Sequence, residues 1–172
     1  NALDRAEEGF VKLEQLEKLV DSEDTLERQF ILRSKALLGC LDGRYSKEEK
    51  RELLLQALRL TIPDFDLEKI GAHLYTVDEM KLINQIAGVY SDLGQNEKAA
   101  EIFAQLLNYV QMHQQEAVIS SGMLSMVLGN YARVLDLCGK YQEAVDYAQQ
   151  GIEACVRYGH YQMLYACLAI QA

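Results

Sequence analysis

Apolar residues recur along the chain at intervals of three and four, in stretches separated by short polar segments marked by Gly, Asp or Asn. That period predicts a succession of amphipathic helices, and a single Pro in 172 residues leaves few places to break them. The first stretch places Leu3, Ala6, Phe10, Leu13, Leu16, Leu19 and Val20 on one stripe, broken at Asp21 or Ser22. A second, capped by Ser22 or Asp24, carries Leu26, Phe30, Ile31, Lys35, Leu38 and Leu41, and the Asp42-Gly43 pair ends it. Ser46 with Glu49 predicts a reciprocal cap for a third helix through Leu53, Leu54, Ala57, Leu58 and Leu60. Ile62-Pro63 closes it, because the residue before proline is pushed out of helical geometry. One short helical segment is expected around Phe65 to Ile70. Thr76 with Glu79 opens the next helix, with Met80, Ile83, Ile86, Ala87 and Tyr90 inward and Gly94 at its end. Asn96 caps a helix bearing Ala99, Ile102, Phe103, Leu106 and Leu107. Two more run from Glu116 to Leu137 and from Tyr141 to Val156, split at Gly139, and a last one starts near Tyr161.

The helices repeat. Ile83, Ala87, Tyr90, Gly94, Ala99 and Phe103 share their spacing with Leu128, Ala132, Leu135, Gly139, Ala144 and Ala148, at an offset of 45 residues. Ala87 and Ala132 permit close helix approach, the glycines permit a tight reversal, and Ala99 and Ala144 fall where the second helix crosses the first. A degraded earlier copy runs through Ala36, Gly43, Tyr45 and, after two extra residues, Lys50, Leu54 and Ala57. The small residue, aromatic, turn Gly, Ala and large apolar residue at Ala87, Tyr90, Gly94, Ala99 and Phe103 resemble the tetratricopeptide pattern. The usual period of that class is about 34 residues, so the excess here sits in longer helices or connections. The expected fold is all-α, a right-handed superhelix of antiparallel helix pairs forming a tetratricopeptide-like solenoid.

The wording of two segments is more specific. LLLQALRLTIPDFD at 53–66 and YTVDEMKLINQIAGVYSDLGQNEKAAEIFAQLLNYVQ at 75–111 resemble the C-terminal regulatory domain of Gram-positive transcriptional regulators of the Rgg and PlcR type. The likeness covers residues 1–165 and is strongest over 44–111. It implies a tetratricopeptide-like domain that forms a homodimer and binds a short signalling peptide, as in quorum sensing, while an N-terminal helix-turn-helix domain binds DNA. No DNA-reading helix is recognisable in the chain. The resemblance therefore implies that residues 1–172 are the regulatory and dimerisation domain, with DNA reached only through a domain lying upstream.

Charge and composition narrow the alternatives. Asp and Glu number 26 against 17 Lys and Arg, a formal charge of −9 that argues against a phosphate-binding surface in this segment. No run approaches a membrane span, and no signal-peptide pattern opens the chain. It starts with Asn rather than Met, which leads us to expect a processing or boundary point with something missing upstream. Cys40, Cys138, Cys155 and Cys167 form no metal-spaced pair and read as small apolar residues in a reducing, cytoplasmic setting. His73, His113 and His160 lack ligand-spaced partners. With no phosphate loop, no Ser or Cys nucleophile near a His base and no HExxH motif, neither an enzyme nor a cofactor is expected. Asp64 and Asp66 alone do not change that.

The first helix of each pair in such a solenoid usually lines the concave surface. Counting from the small Ala of each unit places Arg33 and Leu37, then Lys81, Asn84, Gly88 and Ser91, then Asn130, Arg133 and Asp136 on that surface. Arg33, Lys81, Asn84, Ser91, Asn130, Arg133 and Asp136 are the candidate peptide-binding residues. Asn84 and Asn130 each offer a donor and an acceptor to a peptide backbone, and Arg33 and Arg133 suit a carboxylate in bidentate geometry. The tyrosines at 109, 131, 141, 147, 158, 161 and 165 are expected mostly as half-buried packing residues, with some at a dimer interface formed by residues 141–170. The alternative function is a tetratricopeptide-type interaction scaffold with no role in DNA regulation. An upstream frame encoding a basic helix-turn-helix domain separates the two readings.

Overall fold

The computed structural model describes residues 2–41, 43–113 and 115–172, with the side chains of all but residues 2–4 and 40 among them. The expectations placed on the Leu3 and Cys40 side chains and on Asp42 lie outside the described residues. No strand occurs among the described residues. The chain divides into two compact units, Asn1–Phe65 and Asp66–Ala172.

The first unit holds α1 (Ala2–Glu17), α2 (Thr25–Leu41) and α3 (Lys47–Arg59). Helix α1 buries Ala6, Phe10 and Leu13, whereas Leu19 lies beyond its end and is exposed. Of the two residues expected to cap α2, Asp24 does so, its carboxylate accepting from the Glu27 amide at 3.0 Å. Helix α2 packs on both α1 and α3. Its inward arc therefore runs through Gln29, Ile31 and Ala36, and the predicted stripe of Leu26, Phe30 and Leu41 faces out. Gln29 is buried and donates to the Ala57 carbonyl at 3.0 Å and the Thr61 hydroxyl at 2.9 Å, fastening α2 to the end of α3. The Ser46 and Glu49 cap of α3 forms in both directions, at 3.1 and 2.8 Å. The Ser46 amide holds the Glu49 carboxyl below the usual carboxylate range. Helix α3 stops before the proline, its last turn closed by the Leu60 and Ile62 amides on the Gln56 and Leu58 carbonyls.

The second unit opens with a single 3-10 turn, Ile70–Ala72, where one short helical segment around Phe65 to Ile70 was expected. Gln105 of the later helix α5 accounts for the difference. Its carbonyl accepts from the Ile70 amide at 3.2 Å and its NH2 donates to the Leu67 carbonyl at 3.1 Å, so these backbone groups are satisfied without a helix. Then come α4 (Val77–Asp92) and α5 (Asn96–Met112), the short α6 (Glu116–Ser120), the pair α7 (Met123–Leu137) and α8 (Tyr141–Tyr158), a 3-10 turn at Tyr161–Met163, and α9 (Leu164–Gln171). Thr76 and Glu79 form the predicted reciprocal cap on α4.

Both pairs reverse in the same way. Gly94 and Gly139 sit at φ +76° and +73°. In the first turn the Gly94 and Gln95 amides donate to the Ser91 and Tyr90 carbonyls, and in the second the Gly139 and Lys140 amides donate to those of Asp136 and Leu135. Each is a Schellman closure, needing the left-handed backbone that glycine adopts without cost. Asn96 is the first residue of α5 rather than its cap, and its side-chain oxygen accepts from the Ser91 hydroxyl at 3.1 Å. The single helix expected from Glu116 to Leu137 is two, because Gly122 at φ +72° breaks it.

Met80, Leu82, Ile83, Ile86, Ile102, Phe103, Leu106, Met123 and Leu135 fill the core of this unit. Helix α9 closes onto α7 and α8 through Cys167, which is fully buried. A Cβ at Gly129 would stand 3.2 Å from the Cys167 sulfur, and one at Gly151 only 2.7 Å. Burial pushes the Cys167 thiol up, so it stays protonated and packs as a small apolar group; Cys155 is buried as well, while Cys138 is half-buried. Gly151→Ala is expected to cost about 1–3 kcal/mol in denaturant unfolding by pushing α9 away. Adding Cys167→Ala should return part of that loss, and an unchanged midpoint for Gly151→Ala would refute the close approach.

Candidate functional site

Helices α4 and α7, the first members of the two pairs, pack directly on each other. Their 3.6-residue period sends one face of each into the core and leaves another uncovered. On α7 that uncovered line runs through Met126, Asn130, Arg133 and Leu137, at helical spacing. On α4 it runs through Lys81, Gln85, Gly88 and Asp92, with Asn84 at its edge.

The two lines meet at an amide pair. Asn130 donates through Nδ2 to Oδ1 of Asn84 at 3.1 Å, and Asn84 is only 6 % exposed. A primary amide carries two donor hydrogens and two acceptor lone pairs, so one mutual bond leaves both residues capacity of each kind. This is the chemistry that matches a peptide main chain, which presents donors and acceptors alternately. One turn beyond Asn130, Arg133 is exposed, as is Asp136, and neither forms an ion pair among the described residues. Lys81 bonds to the Asp78 carboxylate at 3.1 Å on its own helix. Ser91 is 8 % exposed, and its hydroxyl is engaged by Asn96 in the α4–α5 turn. Arg33 lies on α2 in the first unit and is half-buried. Of the seven candidates, then, six belong to the α4–α7 portion of the second unit, and a direct bond joins Asn84 to Asn130.

Met126 and Leu137 were not among the candidates, although Leu137 is 50 % exposed on the same line as Asn130 and Arg133. The signal that could have found them is an apolar residue at helical spacing on a polar face. A hollow of about 300 Å3 lies elsewhere in this unit, lined by Leu74, Tyr75, Met80, Tyr109, His113 and Val118. Its rings are committed to structure. The Tyr109 hydroxyl accepts from the Tyr75 amide at 2.8 Å, and the Tyr109 ring stacks on His113 with centroids 4.1 Å apart. The tyrosines thus divide three ways: Tyr109 and Tyr131 are buried, Tyr147 and Tyr158 half-buried, and Tyr141, Tyr161 and Tyr165 exposed. Burial, then the neighbouring Tyr147, pushes the Tyr131 phenol up. Among the described residues no group of three His, Cys, Asp or Glu could hold a metal ion, and no helix is long and apolar enough to cross a membrane.

Residues 12–165 match the RNPP family C-terminal domain. Among curated proteins no sequence matches the chain. Among solved structures it is similar to Bacillus thuringiensis PlcR in its apo form, with a TM-score of 0.72 and 19 % identity over 96 % of this chain and 60 % of that one. The same protein in complex with the peptide PapR7 and DNA gives a TM-score of 0.72 and 19 % identity over 98 % of this chain and 57 % of that one. The nearly identical TPR-like repeats of a Podosopora anserina kinesin light chain give 0.61 and 19 % over 99 % of this chain and 87 % of that one. This chain thus spans about 60 % of PlcR. At this level of identity the structural likenesses speak for the helical-repeat fold.

Replacing Asn130 with Ala leaves the Asn84 oxygen buried without its donor, a loss expected to cost about 1–3 kcal/mol in denaturant unfolding. Because the two residues share one bond, Asn84→Ala with Asn130→Ala should cost clearly less than the two single changes together. Strict additivity would show that the bond contributes nothing.

Proposed function

The chain belongs to the RNPP family, whose C-terminal domain it carries, and on that premise we propose that it is the effector-sensing and dimerisation part of a transcriptional regulator. A short peptide binds on the uncovered face of α4 and α7. The observation that carries this reading is the Asn84–Asn130 pair, which offers donors and acceptors where two helices meet, with the Arg133 guanidinium one turn away. The PlcR structure containing the peptide PapR7 and DNA supports it as a precedent within the same fold.

In this reading an extended peptide bonds through its main chain to both amides, which holds it without demanding a particular sequence. Its free carboxylate, or an acidic side chain, pairs with Arg133, a cation in a chain of net charge −9. Lys81 and Asp136 flank the bound chain, and Ser91 fixes the turn beside it. Met126 and Leu137 give apolar side chains a place to rest, which is where sequence preference enters. A second copy docks through the exposed apolar residues of α8, α9 and the 3-10 turn between them, among them Val156, Tyr161, Tyr165 and Leu168. DNA is contacted by a separate N-terminal domain.

Native mass spectrometry of the protein incubated with short peptides from culture medium tests this directly. The expected spectrum shows a dimer carrying one peptide per subunit, whereas a bare monomer would favour the interaction-scaffold reading. With a bound peptide in hand, Arg133→Ala is expected to weaken affinity by about 10- to 100-fold, the range of a charge-assisted hydrogen bond. Amidation of the peptide's C-terminus should weaken binding to the unaltered protein and change little in the Arg133→Ala variant. Equal losses from amidation in both would place the carboxylate elsewhere.

A further inference from the structure

Among the described residues five glycines lie inside α-helices, and four of them have a packing reason. A Cβ at Gly9 would strike Leu38 at 2.8 Å, one at Gly39 would strike Tyr45, one at Gly129 would strike Met163 at 2.8 Å, and one at Gly151 would strike Cys167. Gly88 is the exception. It sits well inside α4 with a helical backbone, and a Cβ there would meet nothing within 4 Å. Glycine is the least favourable residue for a helix interior after proline, because it gives up the most backbone freedom. Nothing within the second unit requires that cost.

The position supplies a reason. Gly88 lies one turn after Asn84 on the same side of α4, and the Asn84–Asn130 bond brings α7 alongside. The missing side chain therefore leaves the α4 backbone uncovered one turn from Asn84, where a second backbone can come closer to the helix than any other residue would allow. We infer that Gly88 is where the main chain of the bound peptide crosses α4, in direct contact with the helix backbone. A methyl group at this point lifts the peptide and lengthens its bonds to Asn84 and Asn130. The inference rests on the peptide reading above and adds to it a residue that sets how closely the peptide approaches.

Gly88→Ala makes opposite predictions for stability and for binding. Thermal unfolding of the Gly88→Ala protein is expected about 2–4 °C higher, as a helical Gly→Ala change whose methyl group meets no neighbour brings in a chain of this size. The probe is a peptide recovered on the unaltered protein from a pool of random synthetic heptapeptides with free carboxyl ends. Its affinity should fall about tenfold in Gly88→Ala and further in Gly88→Leu. Unchanged affinity in both variants overturns the role of Gly88 and leaves the peptide reading standing. A lowered unfolding temperature for Gly88→Ala overturns it too, because the glycine would then serve the fold. Recovery of no peptide by the unaltered protein overturns the peptide reading and the inference together.

Discussion

Each helix pair has to reverse within three residues while satisfying the backbone groups its ends leave open, and the rest of the second unit follows from how that is done. The closures at Gly94 and Gly139 use the same two bonds at the same relative positions. Identical reversals on two pairs set α4 and α7 in equivalent places and allow them to pack on one another. The polar residues on that side are then brought together by the register of the turns, and the Asn84–Asn130 bond records it. In the first unit the corresponding turn contains Gly43 at φ +74°, but it closes through the Tyr45 amide on the Gly39 carbonyl. The two extra residues between Tyr45 and Lys50 in the repeat pattern belong with that different closure.

What could be read from the chain was local. The caps of α3 and α4 each require residues three apart, and the turn glycines require only themselves, so both were legible. The face of α4 and α7 was legible only in part: counting from a recognised Ala finds Lys81, Asn130, Arg133 and Asp136, which are at least partly exposed, but Asn84 and Ser91, counted the same way, are buried. Long-range contacts decided the rest. Leu67 and Ile70 are held by Gln105, 35 or more positions away, and α2 turns Leu26 and Phe30 outward because two neighbours claim its other side. The Asn84–Asn130 bond spans 46 residues, and no periodicity within one helix announces it.

The two faces of α7 show how fold and site divide the same helix. Toward α8 and α9, Gly129 admits the Cys167 sulfur, and Ala132 lies in a fully buried cluster with Ala148. There, small residues serve close packing. On the adjoining face, Asn130 and Arg133 remain accessible at the cost of burying no large side chain. Gly88 on α4 belongs with the second group, since it is small without being packed. Small size alone therefore does not mark a packing position; the surroundings of the absent side chain tell the two apart.

Regulation asks more of this face than affinity. A ligand moves a protein between two states only by the difference in its affinity for them, and a nearly complete switch needs a preference of about 5.5 kcal/mol. Hydrogen bonds from two neutral amides contribute about 1 kcal/mol each, and an arginine–carboxylate pair about 1.5–3 kcal/mol. Even if every one of these contacts existed in one state alone, together they would give about 3.5–5 kcal/mol, short of that difference. In the proposed reading a peptide's apolar side chains supply the remainder, and Met126 and Leu137 are the residues on α7 positioned to receive them. The main-chain contacts would then hold many peptides, while only a peptide that also fills the apolar positions would switch the protein. Binding and signalling are separable on such a surface, and specificity resides in the second.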